Sequence, residues 1–235
     1  MKILAADTST SSGSLALLED GRLVEEWTFQ SLATHNRRLL RTIDFLLRDA
    51  GWEIEGVDGF AVALGPGSFT GIRIGLGTIK TLAWALQKPF AGVPTLDTLA
   101  APLAFSPMPV CAVLDARRKE VYYALFRPDG RGALVREGSY GVSAPERLAA
   151  SITSPTVFCG DGWLAYRELF TQNLGDLAVA APGPFHAARA AFVGELAYRR
   201  FKAGDGDDPV TCAPIYVRPS EAEMKNPHLF PAAEP

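Results

Sequence analysis

The spacing of apolar residues changes several times along the chain, and each change marks an element. Residues 2–7 form a short apolar run closed by Asp7; residues 14–18 and 23–29 form two more. A small polar turn at 8–13 and a Gly-containing turn at 19–22 separate them, which predicts three antiparallel strands joined by two hairpins. The period then shifts. Leu32, His35 or Asn36, Leu39, Leu40, Ile43, Leu46, Leu47 and Ala50 recur at three and four residues up to Gly51. That spacing predicts an amphipathic helix with a glycine stop. A strand over 59–64 follows, and the run Gly-Pro-Gly-Ser-Phe-Thr-Gly at 65–71 interrupts the pattern. Ile72, Leu76, Ile79, Ala83 and Leu86 mark a second helix that Pro89 ends; a strand over 90–93 and a short helix over 95–103, with Thr95 as its cap, complete the half.

The order β-β-β-α-β-α-β-α predicts a ribonuclease-H-like α/β unit: a mixed sheet with helices on its faces. Pro102, Pro107 and Pro109 form a plausible linker, so a domain boundary is expected between residues 1–104 and 105–235. Past it, strands are expected over 110–115 and 120–126 around a turn at 116–119. Weaker strands are expected over 135–142, 156–159 and 177–180, then a helix over 185–202 and a Pro-rich tail from 214 lying over the surface. No sequence repeat links the halves, although both begin with a hairpin followed by helices.

The chain has 235 residues, 48% of them hydrophobic, enough for one large core or two small ones. Its longest apolar runs are broken well short of a membrane span. The opening MKILAADTSTSS runs straight into strand-like sequence without the features of a signal peptide, so the expected location is the cytosol. Cys111, Cys159 and Cys212 are widely spaced and fit neither a disulfide framework nor a zinc motif. The net charge of −3 argues against tight autonomous binding of nucleic acid. The short basic runs at 37–41 and 117–119 read as solvated faces.

Two turns could hold a phosphate. In one, the strand-ending Asp7 is followed by small hydroxyl residues, Ser9 among them; a structural hairpin turn would need the same residue types. In the other, Gly65, Gly67 and Ser68 lie between a strand and a helix, where free N–H groups and the helix dipole favour an anion. It is neither a Walker loop nor a dinucleotide fingerprint, and a capped strand-to-helix turn reads equally well. His35 has no second ligand one turn on, because position 39 is Leu39; His186 and His228 stand apart in sequence, so no metal site is expected. The second helix is apolar almost all the way round from 72 to 86 apart from Arg73 and Lys80, which suggests a covering partner.

The segments MKILAADTSTSSGSLAL, THNRRLL, AVALGPGSFTGIRIGLGTIKTLAWAL, GVPTLDTLA, LDARRKEVYYALF and PIYVRPSEAE resemble the TsaB (YeaZ) family, most strongly over 1–127. The resemblance implies an actin/Hsp70-like duplicated fold and a role as dimerisation subunit in forming threonylcarbamoyladenosine in tRNA. It implies pairing with the paralogous transferase TsaD or with a second copy of the chain, recruitment of the ATPase TsaE, and contact with tRNA only within that complex. It also implies absence of catalysis, since the H-x-x-x-H metal pair of TsaD reads His35-Asn-Arg-Arg-Leu39 here. Carried onto this chain, the contact surface would include His35, Leu39, Ile43, Ile72, Gly75, Leu76, Ile79 and Ala83. The alternatives left open are an actin-like ATPase or kinase using Asp7, Ser9, Gly65, Gly67 and Ser68, weak binding of ATP or ADP without turnover at those residues, and a metallopeptidase.

Overall fold

The computed structural model describes residues 1–30 and 35–218, the side chains of residues 30 and 35–38 excepted. Ten strands and six α-helices follow in the order β1 (Lys2–Asp7), β2 (Ser12–Glu19), β3 (Arg22–Gln30), α1 (His35–Asp49), β4 (Gly59–Ala63), α2 (Phe69–Ala85), β5 (Phe90–Val93), α3 (Thr95–Ala100), β6 (Val110–Arg117), β7 (Glu120–Pro128), β8 (Leu134–Ser143), α4 (Pro145–Ser151), β9 (Thr156–Cys159), α5 (Asp161–Leu174), β10 (Ala178–Ala180) and α6 (Ala190–Lys202). The first five strands form one sheet in the order β3-β2-β1-β4-β5, the last five another in the order β10-β9-β6-β7-β8. In each sheet the first three strands pair antiparallel, and the last two add in parallel beside the first. The halves thus share one topology that their sequences hide.

The first sheet is buried on both faces, which is why β1, β4 and β5 read as unbroken apolar runs. Alternate residues serve different layers. Leu4, Leu15, Leu17, Phe60 and Val62 pack under α1 and α2 with Leu39, Ile43, Leu46 and Ile79. Ile3, Ala5, Ala16, Ala61 and Ala63 pack on the other face with Ala190, Val193 and Ala197 of α6. That face is lined mainly by alanine, so α6 approaches closely: a Cβ on Gly194 would lie 2.2 Å from Leu18 Cδ1. Glu26 of β3 fixes the start of α6 by accepting from Ala191 N at 3.0 Å and pairing with Arg189.

The boundary expected at 104/105 separates the strands five and five, but not the helices. Leu96, Leu99 and Ala100 of α3 belong to the core of the second sheet, with Val110, Ala112 and Leu114. The final helix, α6, returns to the first sheet. The last helix of each half therefore packs on the sheet of the other. Two helices that periodicity did not indicate, α4 and α5, cover the other face of the second sheet through Leu148, Trp163 and Phe170 against Cys111, Val113 and Phe158. Thr95 is not a cap: Pro94 holds the N-cap position, and Thr95 Oγ1 instead accepts from Gly65 N at 3.2 Å. Cys111 and Cys159 are buried as small apolar residues, and burial pushes the Cys159 thiol up to about 12.

Candidate functional site

The two turns singled out in the sequence meet. Asp7 ends β1 fully buried, and its Oδ1 accepts from Ser9 N at 2.8 Å and from Ser9 Oγ at 2.7 Å. Its Oδ2 is buried without a hydrogen-bond partner, and burial raises the carboxyl above the usual carboxylate range. The 65–71 loop lies directly on this turn. Ser68 N donates to Ser9 O at 2.6 Å, and Thr8 Oγ1 donates to Gly71 O at 2.7 Å. The glycines are required by this contact rather than by a ligand. A Cβ on Gly67 would sit 2.1 Å from Ser9 O, one on Gly71 2.1 Å from Thr8 O, and one on Gly75 2.2 Å from Thr8 Oγ1. Ser68 caps α2, accepting from Gly71 N at 3.3 Å.

Asp7, Ser9, Gly65, Gly67 and Ser68 are thus brought together, but as a closed joint. The N–H groups of Ser9, Gly65, Ser68 and Gly71 already have internal acceptors. The chain also covers the joint from outside. Ile215 N donates to Leu64 O at 2.9 Å, and a Cβ on Gly65 would lie 3.1 Å from Ile215 O. As folded, these residues do not fit a nucleotide phosphate between them.

The segment around Ile215 runs from the first half to the second. Tyr216 stacks on Phe69 with centroids 5.2 Å apart and accepts from Arg73 Nε at 2.9 Å. Two residues on, Arg218 donates to Glu120 Oε2 at 2.7 Å and to Ala116 O at 2.9 Å, both on the β6–β7 hairpin. The tail does lie over the surface up to residue 218, as expected from its sequence, but it does so as a strap with specific bonds; residues 219–235, His228 among them, lie outside the described residues. No feature of the tail's spacing indicated its partners.

The helix layer requires a correction. Leu39, Ile43, Ile72, Gly75, Leu76, Ile79 and Ala83, expected to face a partner, are all buried. They point into the chain's own sheet and into the α1–α2 contact, because the stripe of strongest periodicity on a helix is the one its own core claims. His35 starts α1, but its side chain is outside the described residues. The apolar surface left to solvent is a different set: Leu40 is 55% exposed, Phe45 49% and Trp84 64%. Phe45 stands against Trp27 of the edge strand β3 with ring centroids 4.7 Å apart. On α2 the outward residues include Arg73, Gly77, Thr81 and Trp84, and a Cβ on Gly77 would meet nothing within 4 Å.

Among the described residues no three of His, Cys, Asp and Glu gather where one ion could be held, and no helix is long and apolar enough to cross a membrane. His186 is buried and bonds Ala181 O through Nε2 at 3.0 Å, a structural contact.

Comparison with known proteins adds to this geometry. Residues 30–225 match the family model for TsaD, tRNA N6-adenosine threonylcarbamoyltransferase. Over nearly its whole length the chain is similar to proteins described as tRNA threonylcarbamoyladenosine biosynthesis protein TsaB. It is 30% identical to that of Bacillus subtilis over 96% of this chain and 97% of the relative. It is 32% identical to that of Escherichia coli over 97% and 99%. The solved structure of YeaZ from Pseudomonas aeruginosa superposes with a TM-score of 0.79 at 33% identity, covering 92% of this chain and 99% of that one. More distantly, at 11% identity and a TM-score of 0.51, the fold is that of the ADPNP-bound activator of 2-hydroxyisocaproyl-CoA dehydratase from Clostridium difficile, over 87% of this chain and 97% of that one. The architecture is that of the actin/Hsp70-like proteins, with two mixed sheets flanked by helices.

Proposed function

The chain belongs to the TsaB family of tRNA threonylcarbamoyladenosine biosynthesis proteins, and on that footing we propose that it acts in the cytosol as a non-catalytic subunit, pairing with a TsaD-type transferase of related fold and helping a TsaE-type ATPase to join. The observation that carries this reading is the outward face of the α1–α2 layer, where Leu40, Phe45 and Trp84 remain in water after the chain's own core is complete. Large apolar side chains are more costly in solvent than buried. A standard interface covers about 800 Å² per partner, and two helices of 15 and 17 residues are long enough to supply it. Gly77 and Thr81 on the same face keep α2 flat between Arg73 and Trp84, so that a facing helix can approach closely.

The closed joint supports the same reading. Asp7, Ser9, Gly67 and Gly71 hold the N-terminus of α2 rigidly on β1, which fixes the position of the helix layer relative to the sheet. A protein that must present a surface to a partner gains from such rigidity, because less motion is lost on binding. The two helices are also available to a second copy of the chain, and self-pairing would compete with the transferase for one surface.

The test is reconstitution. The TsaD-type transferase of the same organism is supplied with its adenylate donor and unmodified tRNA, with and without this chain, and the modified nucleoside is measured by mass spectrometry. The reading expects modification to depend on the chain and to saturate at one chain per transferase. Full modification without the chain would overturn it.

A further inference from the structure

The outer backbone groups of an edge strand face no neighbour within the sheet, and proteins cover or blunt such edges because they pair readily with other chains. Two sheets give four edges, and three of them are managed. Along β5 lies the segment 205–208: Asp207 N donates to Phe90 O at 2.8 Å, and Asp207 Oδ2 accepts from Gly92 N at 2.8 Å. Arg200 holds that segment through Asp205 and Asp207. The second edge, β10, is three residues long. The third, β8, is bent. Its register slips opposite Tyr123–Leu125, Gly138 has a φ of 69°, and Arg136 Nε donates to Gly138 O at 3.1 Å.

The fourth edge is β3. It has nine residues, about 30 Å of strand, and no proline. Among the described residues no backbone group of another segment bonds to Arg22–Thr28 on the side away from β2. Leu23, Val24 and Trp27 are 48%, 45% and 39% exposed. The strand is interrupted once, where Val24 is inserted opposite the Leu17–Leu18 step. That bulge changes which charges share a face. Arg22, Glu25 and Trp27 stand opposite Glu19, Leu17 and Leu15, alternate residues of β2 on the face under α1. Arg22 and Glu25, three apart in sequence, therefore lie on the same side. Glu25 accepts from Trp27 Nε1 at 2.8 Å and sits beside Asp49 of α1; burial and that second carboxylate raise its carboxyl above the ordinary value. Among the described residues no carboxylate pairs with Arg22.

We propose that β3 is a surface on which two copies of this chain pair, antiparallel and edge to edge, about a two-fold axis near Val24. In that arrangement Arg22 of each copy lies beside Glu25 of the other, and Leu23 and Val24 of the two copies meet at the axis. A two-fold contact must be self-complementary, and this strand is: it carries a cation without a partner and a crowded carboxylate on one face, on either side of the proposed axis. An unrelated extended peptide would satisfy the backbone of the edge without answering both charges. The contact is narrow, less than the about 800 Å² per partner of a standard interface, so the dimer is a weak one. It differs from self-pairing through α1 and α2. Leu23 stands opposite Leu18 and Thr28 opposite Ser14, on the α6 side of the sheet, so the edge can be altered without touching the helix face. The inference does not depend on the tRNA-modifying role given above.

The test is sedimentation of the full chain over roughly a hundredfold range of concentration, where a weak dimer shows as a shift from monomer to dimer. Val24→Lys with Thr28→Lys, two exposed edge positions, should raise the dissociation constant at least roughly tenfold. Arg22→Glu should do the same, by an amount that shrinks as salt is raised. Leu40→Glu with Trp84→Glu, on the helix face, should leave self-association unchanged. A second readout is positional. With Cys212 replaced by serine, Val24→Cys should oxidise to a disulfide-linked dimer, because a two-fold axis brings that residue to its own copy. Val135→Cys, equally exposed on β8, should not. A chain that stays monomeric throughout would overturn the proposal. So would a dimer lost in the helix-face variant and kept in the edge variant, or equal cross-linking at 24 and 135. If the lysine variants fail to fold, Arg22→Glu and the cross-link decide. A chain that pairs through β3 but binds no transferase would refute the subunit role alone.

Discussion

The ends of the two first strands, β1 and β6, are built alike and used differently. Asp7 closes β1 and Asp115 lies near the end of β6, and in both the carboxylate Oδ1 accepts from the N–H two residues on, Ser9 N at 2.8 Å and Arg117 N at 2.8 Å. Beside each, a parallel strand leads into a positive-φ glycine, Gly65 at 99° and Gly160 at 103°, and then a helix. From there the halves diverge. In the first half the turn is made of small hydroxyl residues, is buried, and is clamped under the glycine-bearing start of α2. In the second the turn is three exposed cations in strained backbone, steadied by Arg218 from outside. One frame has thus become a packing joint in one copy and a presented surface in the other. A duplicated topology sets where a turn lies; the side chains at its tip decide whether it is covered.

The largest expected effect falls on the joint. Gly71→Ala places a Cβ 2.1 Å from the Thr8 carbonyl oxygen, which cannot yield without moving β1 or α2. A loss of about 3 kcal/mol is expected in urea unfolding. Gly77→Ala on the same helix meets open space and should gain about 0.5–1 kcal/mol. If the two variants behaved alike, the joint would not be tightly packed.

A smaller effect concerns charge. Asp7 is buried with one oxygen unpartnered, and burial raises its carboxyl above the ordinary value. The folded state then holds its proton to higher pH than the unfolded chain does. Stability is lost as pH rises from the ordinary Asp range through the raised folded value, and the loss persists above it. Asp7→Asn keeps an acceptor for Ser9 and removes the buried charge. It should stabilise the fold by about 1 kcal/mol at pH 7, a gain that shrinks as pH falls toward the ordinary Asp range. Melting curves at several pH values read this directly; a gain independent of pH would mean that burial does not raise the Asp7 carboxyl. The smallest effect belongs to the second hairpin. Lys119→Gly relieves one left-handed residue at an exposed site and should raise stability by about 0.5–1 kcal/mol in thermal melts, whereas a glycine substitution of Ser9 in the first turn should destabilise it.

Much of this architecture was legible in the residues, because most strands of both sheets are short apolar runs bounded by turns, and β5 and β9 fall on the residues expected from sequence. The helix α5 was not. It has no side-chain cap, begins after the positive-φ Gly160, and contains Tyr166 in non-helical backbone, so neither a start signal nor a clean period marks it. The exchange of α3 and α6 between the sheets was also hidden, since periodicity shows that a helix has an apolar face but not which sheet receives it. The same limit explains the misplaced contact surface. Leu76 and Ile79 were conspicuous by spacing and are buried, while Trp84 and Phe45, off the main stripe, are among the apolar residues exposed to water. For the glycine loop, local sequence suited a phosphate site and a tight turn equally, and only the distance to Thr8 and Ser9 separates them.

The proposed subunit role requires the outward face of α1 and α2 to be a binding surface. The direct measurement is the dissociation constant of this chain with its TsaD-type transferase, by calorimetry or sedimentation, for wild type and for Phe45→Glu with Trp84→Glu. Both sites are exposed, so the variant should keep the wild-type melting temperature within a few degrees while losing affinity by at least about a hundredfold. A stable variant that binds the transferase as tightly as wild type would contradict the assignment.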